Sequence, residues 1–97
     1  MSLHGNPVVE QAQLPDGREA TIRVGIFEDP YVADKLLNTV TLEVSVGGEL
    51  VAGMDTVLDA GQVDEARRLA ARVREGLAGG ELEPTVHSLE PLADSIL

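Results

Sequence analysis

The chain has 97 residues and a formal net charge of −10, with 43% hydrophobic and 25% charged residues. That length supports one core rather than two, and no stretch nears the roughly eighteen unbroken apolar residues of a membrane-spanning helix. The negative balance repels phosphate backbones and anionic lipid, so one domain over residues 1–97 is expected, with no nucleic acid and no membrane as partner.

Cysteine is absent, which excludes disulfides, thiolate nucleophiles and Cys-ligated metal centres and leaves packing to hold the fold. The cytoplasm is the expected compartment. Phe27 and Tyr31 are the only aromatic residues, too few for a base-stacking or sugar-stacking platform. Residues 1–7 lack the basic start and apolar run of a secretory signal and are expected to fray.

The first legible unit is a hairpin, Val8 to Leu14 and Arg18 to Phe27, joined by Pro15-Asp16-Gly17, where Pro presets the turn. In its second strand Ala20, Ile22, Val24 and Ile26 alternate with polar residues or Gly, the period of a sheet with one buried face. Asp29-Pro30 then opens a short predicted helix that ends near Asn38, with Val32 and Leu36 on one side.

A second hairpin starts at Thr39. Val40, Leu42, Val44 and Val46 share one face, and Gly47-Gly48 turns the chain. A three-residue loop over Gly47 to Glu49 would set Val46 against Leu50, Val44 against Ala52 and Leu42 against Met54, so that apolar residues share a face. The expectation is therefore a bulged loop at this turn.

The clearest helix runs from Gln62 to Ala78 and stops at Gly79-Gly80. Val63, Ala66, Leu69, Ala70, Val73 and Leu77 form its apolar stripe, opposite Asp64, Arg68, Arg72 and Glu75. The tail, residues 81–97, is acidic and carries Pro84 and Pro91. Leu89, Leu92 and Ile96 have helical spacing, with Pro91 expected near the helix start. These residues could close the chain's own core or form an arm that docks on a partner.

Candidate chemistry is thin. His4 and His87 have no HxxxH or HExxH partner, and Glu28, Asp29 and Asp34 do not have calcium-loop spacing. No glycine-rich phosphate loop and no Gly-x-Ser-x-Gly nucleophile elbow occurs. No catalytic residue, metal ligand or cofactor is assigned. Arg67, Arg68, Arg72 and Arg74 crowd one helix but split into two groups. Arg68 and Arg72 lie on the outer arc, whereas Arg67 and Arg74 border the apolar face, where they could meet acids of a second copy.

The expected fold is α+β: a four-stranded antiparallel sheet of two β-hairpins in ββαββα order. One long helix lies on one face, followed by a short C-terminal helical tail. The leading functional expectation is a non-catalytic interaction module that forms a homo-oligomer, a dimer, and binds a basic protein. Its candidate residues are Arg67, Arg74, Leu89, Leu92 and Ile96. Val51 and Val57, expected on the far face of the sheet, supply spare apolar surface. The alternative is a small enzyme or a metal-binding or small-molecule-binding domain, its site completed at a subunit interface from Glu28, Asp29, Tyr31, Asp34 or His87.

Overall fold

One antiparallel sheet holds β1 (Val8–Gln13), β2 (Glu19–Gly25), β3 (Thr41–Val46) and β4 (Glu49–Asp55) in the spatial order β1-β2-β3-β4. Two helices follow, α1 (Val63–Ala78) and α2 (Val86–Ser95). The computed structural model describes Leu3, residues 6–26 and residues 40–95. The α+β architecture is the expected one. The short helix read from Asp29 to Asn38 lies outside the described residues.

Alternation decides which side of the sheet is dry. Ala20, Ile22 and Val24 of β2, and Val40, Leu42 and Val44 at β3, are fully buried, while Thr21, Arg23, Thr41, Glu43 and Ser45 between them reach solvent in whole or part. From α1 the same core receives Ala66, Leu69, Ala70, Val73 and Leu77, each with no exposed surface. Burying these side chains contributes about 1.5–3 kcal/mol for each Val, Leu or Ile.

The long helix lies on one face of the sheet as expected, and the C-terminal helix completes the cover. Four strands span roughly 15 Å at a spacing of about 4.8 Å, whereas a helix with its side chains is only about 10 Å across. Accordingly α1 packs on β1 and β2, and α2 packs on β4 and against α1. Leu89 and Ala93 of α2 are fully buried, and Leu92 is half-buried against the same core.

The second hairpin keeps the expected pairs Val44 with Ala52 and Leu42 with Met54, but its loop is shorter than expected. Val46 faces Glu49 and Ser45 faces Leu50, so only Gly47 and Gly48 turn the chain. Their φ angles of 62° and 85° belong to a primed two-residue turn, which matches strand twist and which Gly-Gly enters without a Cβ penalty. The extra residue is absorbed further along, in a bulge of β4 opposite Val44 and Ser45. Hence Val51 is exposed as part of that irregularity, and Val57 lies past the end of β4 rather than on the sheet.

Two other boundaries shift. Pro91 sits inside α2, not near its start, because Thr85 caps the helix: its hydroxyl accepts the Ser88 N–H at 3.3 Å. Pro91 has no N–H to offer the His87 carbonyl, and His87 lies on the exposed side of α2 where water can reach. Leu3, expected to fray, is fully buried and donates its N–H to the Ala60 carbonyl at 2.9 Å.

Candidate interaction surface

An open sheet has two edges, and here they differ. Among the described residues β1 and β4 each pair on one side only. The β4 edge is interrupted by its bulge and begins and ends on exposed Glu49 and Asp55, features that discourage further strand pairing. In contrast, β1 pairs with β2 in unbroken register from Val8 to Gln13 and holds one charged residue, Glu10.

Which main-chain groups of β1 face outward follows from the turn. Leu14 donates its N–H to the Arg18 carbonyl at 2.8 Å, so Leu14 points its backbone at β2. Antiparallel ladders alternate, which directs Ala12, Glu10 and Val8 to β2 as well and leaves Val9, Gln11 and Gln13 facing the free edge. Their side chains lie on the sheet face away from the helices and are exposed. None of the three is charged.

The helix side of this edge is a groove of about 550 Å³ lined by Asn6, Pro7, Val8, Val9, Glu10, Val63, Arg67 and Ala71. Arg67 reaches Asp64 at 3.4 Å, and both side chains are largely exposed. Seven residues further along, two turns on, Arg74 donates from Nη1 to Glu10 Oε2 at 2.9 Å, across 64 positions of sequence. The structure thus brings Arg67 and Arg74 to the same border of α1, both toward β1. A helix pitch near 3.6 residues requires this of positions seven apart.

The other candidates are dispersed. Leu89 is enclosed in its own core, Leu92 lines a shallow depression with Arg72, Glu75, Gly76, Glu81 and Leu82, and Ile96 lies outside the described residues. For the alternative constellation, Glu28, Asp29, Tyr31 and Asp34 also lie outside them, and His87 is exposed on α2. Among the described residues no three His, Asp or Glu side chains converge as metal ligands.

The outward row Val9, Gln11 and Gln13 was not singled out by sequence. Its signal was a run of uncharged polar residues in a chain rich in acid, and its importance depends on β1 standing at an edge. No family model matches this chain, and neither a curated protein nor a solved structure is detectably similar to it. No helix among the described residues is long and apolar enough to cross a membrane.

Proposed function

We propose that this domain is a non-catalytic protein-interaction module that self-associates. The carrying observation is the β1 edge: regular, unbulged and uncharged in its outward row, beside a groove with apolar walls from Val8, Val63 and Ala71. Exposed strand edges template pairing with another chain unless they are blunted, and β1 lacks the bulge and the terminal acids that blunt β4. Twofold dimers are the commonest closed assembly for such a surface. Sedimentation velocity over a concentration series through the micromolar range tests it. A dimer is expected, and a monomer at every concentration removes the reading.

The second part of the proposal is a basic protein partner. Glu83, Glu90 and Asp94 are exposed around α2, on the β4 side of the molecule, and the whole chain carries −10. That field attracts cationic proteins at a distance. Capture of an oligolysine peptide should weaken as salt is added, and salt-independent capture contradicts it. A cytoplasmic location accords with a cysteine-free chain.

A further inference from the structure

We infer that two copies join β1 to β1 in antiparallel fashion about a twofold axis at Gln11, fusing two four-stranded sheets into one of eight. This rests on the self-association proposed above and gives it a surface and a register.

The register follows from three constraints. First, directly opposed residues of an antiparallel pair point to the same face, so helix-side residues must oppose helix-side residues and the outward row must oppose itself. An axis through a residue of β1 satisfies this; an axis between residues does not. Second, prolines bracket the strand. An axis at Glu10 would oppose Gln13 to the partner's Pro7, and an axis at Ala12 would oppose Val9 to the partner's Pro15; either wastes a bonding position, because Pro has no N–H. Third, an axis at Glu10 also opposes two carboxylates.

An axis at Gln11 meets all three. Gln11 faces the partner's Gln11, Val9 faces the partner's Gln13, and Pro7 falls opposite the partner's Pro15, where neither needs a donor. Val9, Gln11 and Gln13 then each sit in a pair that exchanges both of its main-chain hydrogen bonds. On the helix side Glu10 lies beside the partner's Ala12 and keeps Arg74, and Val8 meets the partner's Leu14 at the groove.

Charge agrees with this edge and with a second copy as the occupant. Each molecule is strongly acidic, so association must occur where its own charge is locally offset. At β1 the single acid is paired with Arg74, and Arg67 lines the groove nearby. Glu49 and Asp55 stand on the opposite edge, with the acids of α2 on that side too.

The test uses the full chain. Gln11→Pro removes an outward-facing N–H without taking a bond from the β1–β2 ladder, so the circular dichroism of the folded chain should stay close to that of the parent. Light scattering should then fall from twice 10.3 kDa to a single chain. As a second variant, Gln11→Cys places one thiol in a cysteine-free chain, opposite its own copy at a Cα separation near 5.5 Å that a disulfide can span. Mild oxidation should give a covalent dimer from Gln11→Cys and little from Gly53→Cys on the β4 edge. A folded Gln11→Pro protein that stays dimeric, or equal cross-linking from Gly53→Cys, overturns the β1 register and leaves self-association standing. A monomeric parent overturns both.

Discussion

Arg74 holds Glu10 at 2.9 Å, joining the C-terminal half of α1 to the one charged residue of β1. Glu10 points to the helix side, where an unpaired carboxylate would sit beside apolar α1 residues at an energetic cost. Pairing removes that cost and leaves the outward row neutral. Both side chains still reach solvent, so the pair itself should be worth little. We expect Arg74→Met, which keeps the packing stem, to cost under about 1 kcal/mol in urea unfolding. A loss several times larger would mean that the pair is far drier than its exposure indicates.

Gly76 lies on the buried side of α1 under Leu82, whose side chain occupies the space a Cβ would need. Helix propensity alone favours Gly→Ala by up to about 1 kcal/mol. Here steric conflict should win, because both Cγ and Cδ1 of Leu82 would have to move. Leu82 is also anchored by its N–H to the Gly76 carbonyl at 3.0 Å. Gly76→Ala should destabilise by about 1–3 kcal/mol. A stabilised variant would show that Leu82 swings away freely.

The N–H of Arg18 donates to Asp16 Oδ1 at 3.0 Å and its Nε to Oδ2 at 2.6 Å. That backbone bond, with the guanidinium beside it, lowers the Asp16 pKa below 3.8. A depressed carboxylate adds stability that is fully present above its unfolded value and disappears as pH falls through its folded one. Asp16→Asn should therefore be slightly less stable than the parent at pH 6, and the gap should close below about pH 3.8. Both side chains of the pair are more than half exposed to solvent, so the effect will be small. A gap that widens in acid contradicts the assignment.

The tail is part of the fold. Leu89 is fully buried, and Ser88 fixes the start of α2 from both sides: its N–H donates to the Thr85 hydroxyl while its own hydroxyl accepts the Glu83 N–H at 3.0 Å. Leu89→Ala should cost about 2–5 kcal/mol, as truncation in a closed core does, measured by chemical denaturation. A cost near zero would mean that α2 rests on the sheet without sealing it.

Periodicity carried most of this architecture into view. Ala20, Ile22 and Val24 could face only one way, and the α1 stripe from Val63 to Leu77 could serve only as a packing face. What stayed hidden depended on distance in space. Glu10 and Arg74 are 64 positions apart, and nothing in either residue's neighbourhood announces the other. The two-residue turn was obscured by the bulge: one displaced residue keeps Val44 with Ala52 while moving Val46 from Leu50 to Glu49. Leu89 and Leu92 fit a docking arm and a core-closing helix equally well until sheet width showed that α1 leaves β4 uncovered. The surface at β1 needed strand order, which local pattern does not encode, before Gln11 and Gln13 could be seen as an edge row.

Salt separates the two kinds of association this charge distribution supports. Two copies of a −10 chain repel one another at long range, while the β1 strands that meet carry a charge already neutralised by Arg74. Raising ionic strength shortens the Debye length from about 10 Å at 0.1 M to about 3 Å at 1 M, which screens the repulsion and leaves the strand contacts largely intact. The dimer should thus tighten with added sodium chloride, whereas capture of a cationic partner by the acidic side should weaken over the same range. Sedimentation equilibrium between low and high salt measures the first. If the dimer instead dissociates as salt rises, inter-chain ion pairs hold it together, and Arg67 and Arg74 would then be reaching acids of the second copy rather than serving their own chain.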